Sequence, residues 1–136
     1  MSSKEAFAQL SLSAQSALID VRTRAEWSFV GVPSLSSVSK EVMFLEWQSF
    51  PSGAVNDRFV DELTGLLEAK EIERTTELFF ICRSGARSLA AARAMASAGY
   101  ENCANVSDGF EGPVDANGHR GRITGWKASD LPWVQS

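Results

Sequence analysis

The apolar residues of the chain form short unbroken runs and longer stripes of helical period. Residues 17–21 and 78–81 are the clearest runs, and their nearly continuous apolar character is typical of buried parallel strands. Two stripes have the spacing of an amphipathic helix: Phe59, Val60, Leu63, Leu66 and Leu67, and then Leu89, Ala92, Met95 and Ala96. Ser2 and Glu5 have the spacing of a capping box and predict a short N-terminal helix. The mixture of buried strands and amphipathic helices predicts an α/β fold.

The length and composition of the chain narrow the class of protein. A chain of 136 residues fits a single domain, residues 1–136, around one core. The net charge of −4 gives no reason to expect nucleic acid, and no apolar run is long enough to span a membrane. The N-terminus lacks the apolar core of a signal peptide, and two cysteines are too few for a disulfide framework. We therefore expect a cytoplasmic protein in a reducing compartment.

The connection between the strand at 78–81 and the next helix carries the candidate chemistry: Cys82, Arg83, Ser84, Gly85, Ala86 and Arg87. Open α/β sheets bind ligands where a strand ends against a helix N-terminus, and Cys82 lies at such a place. The unpaired N–H groups of the helix start favour the thiolate, which is the nucleophilic form of cysteine. Gly85 lets the backbone approach a ligand, while Arg83 and Arg87 supply permanent positive charge. These features predict a nucleophilic sulfur inside an anion-binding loop.

Three motifs stand out along the chain: L-I-D-V-R-T-R-A-E-W at 18–27, I-C-R-S-G-A-R-S at 81–88 and N-V-S-D-G-F-E-G at 105–112. Together they resemble the motifs of the rhodanese (thiosulfate sulfurtransferase) family. The resemblance covers most of the chain from residue 17 to residue 110. It implies a three-layer α/β fold, with a central, mostly parallel sheet of about five strands and helices on both faces. It also implies that Cys82 is the catalytic cysteine.

The length of the Cys82 loop favours one chemistry over another. The stretch from Cys82 to Arg87 has the six-residue length of the rhodanese loop. Phosphatases and arsenate reductases with a related loop use C-x5-R, which is one residue longer and encloses a tetrahedral oxyanion. Their arginine would fall on Ser88. The shorter loop therefore favours sulfur chemistry.

Three further positions receive structural interpretations. Asp20 and Arg22 match the D-V-R motif of rhodaneses, where these residues brace the sheet edge, and we expect an ion pair at the end of a strand. Cys103 has neither flanking cations nor a helix start beside it, so we expect a small buried apolar residue. Residues 28–40 lack the histidine that rhodaneses usually carry there, and a strand is only weakly indicated at 38–42.

Two segments are longer than the family pattern requires. Residues 41–56 contain Phe44, Trp47 and Phe50, whose spacing suggests one face of a short helix. These aromatic side chains either cover the sheet or form a dry lid over the Cys82 loop. Residues 113–125 have the character of an inserted loop, and we expect its His119 to be a surface residue rather than a base. Arg120 and Arg122 in the same loop would widen the positive field that receives an anion.

The sequence indicates a sulfurtransferase that works by double displacement. Cys82 would take the sulfane sulfur of thiosulfate or a similar small anionic donor, and a thiol, cyanide or a protein would accept it. The substrate-binding residues would be Arg83, Ser84, Gly85, Ala86 and Arg87, through main-chain N–H groups and the two guanidinium groups. No cofactor or metal is implied. Two alternatives stay open: a persulfide carrier or sensor with little turnover, and a phosphatase-like or arsenate-reductase-like enzyme that uses the same loop.

Overall fold

The structure is a computed structural model that describes residues 1–136. In chain order its elements are α1 (Ser3–Leu12), β1 (Ser16–Asp20), α2 (Arg24–Phe29), β2 (Val32–Pro33), a 3₁₀ turn (Ser36–Val38), β3 (Met43–Phe44), α3 (Phe59–Ala69), β4 (Glu77–Ile81), α4 (Ala86–Ser97), β5 (Asn102–Asn105) and β6 (Trp133–Val134). Four parallel strands form the central sheet in the order β3-β1-β4-β5. A separate antiparallel pair joins β2 to β6. The predicted α/β class and parallel sheet are confirmed.

Both faces of the central sheet are covered by apolar side chains. In β4, Leu78 and Phe80 belong to one cluster, whereas Phe79 and Ile81 belong to another, as the alternation of side chains along a strand requires. The first cluster is completed by residues of α3 and α4. The second is completed by residues of α1 and by buried residues of the C-terminal part of the chain, including Trp126. The expected three-layer arrangement is therefore present.

The central sheet has four strands rather than the expected five or so, because the region before residue 43 is irregular. The prediction of a strand at 38–42 was wrong. The 3₁₀ turn ends in this stretch, and Ser39 has a left-handed φ of 59°. Lys40 also folds back, and its Nζ donates to the carbonyl oxygens of Ser13 and Ser16 at 2.8 Å each. These local bonds take the chain out of the ladder until Met43.

The segment 41–56 does not form the short helix suggested by its aromatic spacing. Residues 43–47 run extended beside β1, since the N–H groups of Leu45 and Trp47 donate to the carbonyls of Asp20 and Val21. The residues that follow form a turn closed by a bridge between Gln48 and Val55. The bonds to β1 outweigh the local periodicity. Trp47 then packs edge-on against Phe59, with ring centroids 5.0 Å apart.

Charged residues brace the end of β1 as expected. Arg22 Nη2 lies 2.7 Å from Asp20 Oδ2, and both side chains are fully buried. The same nitrogen donates to the carbonyl oxygen of Gly31 at 2.9 Å, which ties the loop after α2 to the strand end. The structural interpretation of this pair is confirmed. No helix of the structure is both long and apolar enough to cross a bilayer.

Candidate active site

The Cys82 loop begins where β4 ends and finishes where α4 begins. Its tight course depends on Gly85, the residue before the first turn of α4, which has a φ of 109°. A Cβ atom at this position would collide with the carbonyl oxygen of Ser107, which lies in the turn after β5. Only glycine combines this φ with such a close approach. The loop is therefore pressed against the turn that follows the neighbouring strand.

Two hydrogen-bond donors lie against the sulfur of Cys82. The main-chain N–H of Gly85 donates to Sγ at 3.1 Å, and the hydroxyl of Ser88 lies at the same distance. The cysteine residue is only 1% exposed. Because both neighbours are donors and the helix N-terminus is adjacent, negative charge on this sulfur is stabilised despite its burial.

The main chain around Cys82 offers further unpaired donors. The N–H group of Gly85 is occupied by Sγ, but five neighbouring N–H groups donate to no group of the protein: those of Arg83, Ser84, Ala86, Arg87 and Ser88. The last three belong to the first turn of α4, where such groups have no intrahelical acceptor. Chemically, the loop can bind an anion attached to the sulfur or placed just beyond it.

Ser88 is a site residue that the sequence interpretation missed. It is fully buried, and its hydroxyl lies 3.1 Å from Cys82 Sγ and 2.5 Å from Asn105 Oδ1. The amide of Asn105 in turn donates to the carbonyl oxygen of Gly85 at 3.0 Å. The single hydroxyl hydrogen of Ser88 can therefore serve either the sulfur or the amide. Its signal was present in the sequence: the third residue of a helix that follows the loop points back toward the loop.

Arg87 is held by an acidic partner. Its Nη1 and Nη2 donate to the two carboxylate oxygens of Glu26 at 2.7 and 3.0 Å, and each side chain is about one-fifth exposed. Burial would raise the pKa of the Glu26 carboxyl, but hydrogen bonds from Arg87 and Thr23 outweigh it, so this pKa lies below the ordinary value. The hydrogen bonds with Glu26 raise the pKa of Arg87. The guanidinium was expected to be a free anion ligand, and instead it starts from a fixed ion pair.

A cavity of about 1000 Å³ lies beside the Cys82 loop. Arg83 and Arg87 line it, whereas Cys82, Ser84, Gly85 and Ala86 do not. The remainder of its wall comes from the start and end of α2, from residues 48–53 of the aromatic segment and from residues 118–122 of the inserted loop. The two segments that depart from the family pattern thus meet at the same place as the candidate loop.

Of the two interpretations of the aromatic segment, core packing applies to Trp47, whereas Phe50 borders the cavity without forming a lid. Trp47 packs into the core against Phe59, whereas Phe50 is 71% exposed and borders the cavity. In the inserted loop His119 is exposed at the cavity wall, as expected for a surface residue, beside Arg120 and Arg122. The aromatic segment therefore contributes one wall of the cavity but does not cover it.

Main-chain hydrogen bonds tie residues 111–112, which directly precede the inserted loop, to the Cys82 loop. The carbonyl oxygen of Arg83 accepts from the N–H groups of Glu111 and Gly112 at 3.0 and 3.1 Å. The carbonyl of Gly112 then accepts from Arg120 Nη1 at 2.8 Å. The position of Arg120 is thus coupled to the loop that carries the cysteine.

Cys103 lies in a different environment, one strand away. It is half-buried, and its nearest polar partner is the carbonyl oxygen of Tyr100, at 3.6 Å from Sγ. Burial raises the pKa of this thiol to about 11. The expected small apolar residue packs against the core, but it is half-buried rather than buried.

The chain resembles known proteins along its whole length. A family model described as the STR4 middle domain matches residues 1–136. The crystal structure of Rv0390 from M. tuberculosis superposes with a TM-score of 0.88, at 46% identity, and the match covers 100% of this chain and 96% of that one. The protein RP600 of Rickettsia prowazekii is 40% identical over 131 residues, which cover 96% of this chain and 93% of RP600.

A plant relative connects this family with a named fold. Rhodanese-like domain-containing protein 4 of Arabidopsis thaliana, which is chloroplastic, is 27% identical over 134 residues. The match covers 98% of this chain but only 25% of the plant protein. A rhodanese-like fold agrees with the parallel four-stranded sheet of this chain, with its helices on both faces and with the cysteine loop at the end of β4. The chain therefore belongs to the STR4 middle-domain family, and its fold is rhodanese-like.

Proposed function

We propose that the protein is a sulfurtransferase and that Cys82 carries the transferred sulfur as a persulfide. The observation that carries the proposal is the set of donors around Sγ: the N–H of Gly85, the hydroxyl of Ser88 and the unpaired N–H groups of the loop. A persulfide is an anion that extends one atom beyond the cysteine sulfur, so it needs donors along the loop.

The first half of the reaction loads the cysteine. The Cys82 thiolate attacks the outer sulfur of thiosulfate, a new S–S bond forms, and the S–S bond of the donor breaks. Sulfite leaves with the electron pair of the broken bond, and the enzyme keeps the persulfide. In the second half an acceptor thiolate or cyanide attacks the terminal sulfur and restores the Cys82 thiolate. Neither half needs an external oxidant or reductant.

The loop residues have distinct roles in this proposal. The main-chain N–H groups from Arg83 to Arg87 hold the terminal sulfur, and Gly85 permits the curvature that turns them inward. Arg83, which is exposed at the cavity wall, attracts the sulfonate of the donor. Arg87 adds positive potential while Glu26 fixes its position.

The phosphatase alternative receives less support from the site. At position 88 a C-x5-R loop would place a guanidinium for a tetrahedral oxyanion, whereas here a buried serine contacts the sulfur. The proposal takes residues 1–136 as one domain that acts in a reducing, cytoplasmic compartment. Such a compartment keeps Cys82, which has no disulfide partner, in its thiol form.

Steady-state and pre-steady-state assays on the wild-type protein test the proposal. With thiosulfate and cyanide we expect continuous thiocyanate release, and with an aryl phosphate no phosphate release. A single stoichiometric burst of thiocyanate would identify a carrier instead of an enzyme. Hydrolysis of the aryl phosphate without sulfur transfer would contradict the proposal and favour the phosphatase class.

A further inference from the structure

The cavity beside the Cys82 loop is more positive than the chain as a whole. Its wall contains four arginines, Arg83, Arg87, Arg120 and Arg122, but only two acidic residues, Glu26 and Glu111. The whole chain carries a net charge of −4. Since Glu26 is already paired with Arg87, three guanidinium groups face a single further carboxylate. A local field of this sign concentrates anions at the cavity.

The cavity also exceeds what thiosulfate or cyanide requires. Its volume of about 1000 Å³ is at the upper end of the range of pockets that hold drug-sized molecules. Two aromatic side chains at its wall, Phe29 and Phe50, are 81% and 71% exposed. Aromatic faces beside guanidinium groups suit a ligand with both apolar and anionic parts. The burial of Cys82 also limits the shape of the ligand. Because this residue is only 1% exposed, the part of the ligand that reaches its sulfur must be slender.

Arg120 of the inserted loop is held in place before any ligand binds. Arg120 donates to the carbonyl of Gly112, a neutral partner that leaves its positive charge uncompensated. The turn before it is closed by Asp115, whose main-chain N–H donates to the carbonyl of His119 at 2.7 Å and whose carboxylate accepts from the His119 N–H at 2.8 Å. Ordering before binding lowers the entropic cost of recognition.

We propose that Arg120 and Arg122 bind the carboxylates of a low-molecular-weight thiol, and that this thiol is the acceptor of sulfur from Cys82. This inference rests on the proposed function and names the substrate class of its second half-reaction. The carboxylates lie against the two arginines, the apolar part of the ligand packs on Phe50, and the thiol reaches the loop. Its thiolate attacks the terminal sulfur of the Cys82 persulfide, the S–S bond to Cys82 breaks, and a small-molecule persulfide leaves. The Cys82 thiolate is restored, so atoms and electrons balance.

The binding step is testable without any sulfur transfer. The probe is S-methylglutathione, a thioether that carries two carboxylates and cannot react, and its affinity for the unloaded protein is measured by calorimetry or NMR titration. We expect the variant Arg120→Ala/Arg122→Ala to bind about tenfold more weakly than wild type, the loss expected for a charge-assisted contact near the surface. The matched control is Arg93→Ala, which removes an exposed arginine of α4 outside the cavity. Equal affinity in wild type and the double variant would overturn the inference.

The transfer step is tested by single-turnover kinetics. Protein loaded with thiosulfate and desalted is mixed with glutathione or with its diethyl ester, and each rate is divided by the rate of the same thiol with a soluble disulfide. We expect a corrected preference of about tenfold for the carboxylate form in wild type and in Arg93→Ala. In Arg120→Ala/Arg122→Ala the preference falls toward one, and added salt reduces it in wild type. A wild-type preference near one would overturn the inference while leaving sulfur loading on Cys82 intact.

If thiosulfate loads no sulfur, the proposed function fails, and the thioether titration still decides whether the two arginines bind carboxylates. If wild type does not bind the thioether and reacts with neither glutathione nor its diethyl ester, a protein acceptor is indicated. This result also overturns the inference.

Discussion

The two cysteines of this chain lie at the end of one parallel strand and within its neighbour, and their surroundings are opposite in polarity. Cys82 follows β4, and Cys103 lies within β5, opposite Leu78 of β4. Cys82 is the more deeply buried of the two, yet its sulfur contacts an N–H and a hydroxyl. Cys103 is half-buried against the apolar core, and the one polar partner of its sulfur is a carbonyl oxygen, which repels negative charge.

Hydrogen-bond donors, rather than exposure, distinguish the surroundings of the two sulfurs. Burial alone raises the pKa of Cys103 to about 11, so this thiol stays protonated at neutral pH. Cys82 is buried as well, but it lies beyond the end of its strand, where the main chain turns and a helix begins. A position two or three residues earlier would place it in the ladder, where its neighbours would be apolar.

Removal of each sulfur should give the largest contrast. We expect Cys82→Ser to lower thiosulfate-to-cyanide turnover by on the order of 10³-fold or more, because a hydroxyl cannot form a persulfide. Cys103→Ser should stay within about twofold of wild type. Both variants need a circular dichroism spectrum that matches wild type. Loss of activity in Cys103→Ser with retention in Cys82→Ser would reverse the assignment of the two cysteines.

Removal of one hydrogen-bond donor should slow the reaction of Cys82 while leaving its sulfur in place. A hydrogen bond to a charged group contributes about 1.5–3 kcal/mol, so Ser88→Ala should slow persulfide formation by roughly 10- to 150-fold. Ser97→Ala, at the exposed end of the same helix, serves as the matched control. Stopped-flow rates of sulfite release measure both variants. Equal rates in Ser88→Ala and wild type would show that the serine hydroxyl is directed to Asn105 throughout.

The ion pair behind the loop should appear as a pH-dependent part of stability. Since the folded state lowers the pKa of Glu26 below its ordinary value of 4.5, its contribution is complete above that pH and is lost as the pH falls through the folded pKa. We expect Glu26→Gln to lower the free energy of unfolding by about 1 kcal/mol at pH 7, and by progressively less in acid. Urea unfolding at several pH values measures this difference, with the exposed Glu68→Gln as control. A deficit in Glu26→Gln that does not change with pH would contradict this account of the pair.

The smallest effect should be the reactivity of Cys103 itself. In folded Cys82→Ser, the only thiol is that of Cys103, whose pKa of about 11 leaves about one part in 10³ as thiolate at pH 8. Its alkylation by iodoacetamide should therefore be slow and should rise about tenfold per pH unit between pH 7 and pH 9.5. A plateau within that range would show that its thiol titrates much lower and is not shielded by burial.

The parts of the fold that the sequence predicted are those with a strong local signal. The apolar run of β4 and the apolar stripe of α4 are recognisable from their spacing alone. A cysteine between such a strand and helix lies at the carboxyl edge of the sheet in any α/β arrangement. The donor to Sγ from Gly85 follows from the same local turn. This is why the Cys82 loop was recognisable from a single sequence.

The parts that were missed depend on contacts between distant residues. Arg87 and Glu26 are 61 positions apart, and nothing in either local pattern predicts that they meet. The extended course of residues 43–47 depends on β1, whose carbonyls accept hydrogen bonds from the main chain and override the aromatic spacing. The cavity required three segments to converge, so the positions of Arg120 and Arg122 beside the Cys82 loop could only come from the structure.

The location of the transferred sulfur tests the central claim most directly. The wild-type protein is incubated with thiosulfate, its intact mass is measured, and the persulfide is trapped by alkylation and located by peptide mapping. We predict a gain of one sulfur atom per chain, carried by the peptide that contains Cys82, and its loss on addition of cyanide. A chain that gains no sulfur, or one that carries it on Cys103, would contradict the account.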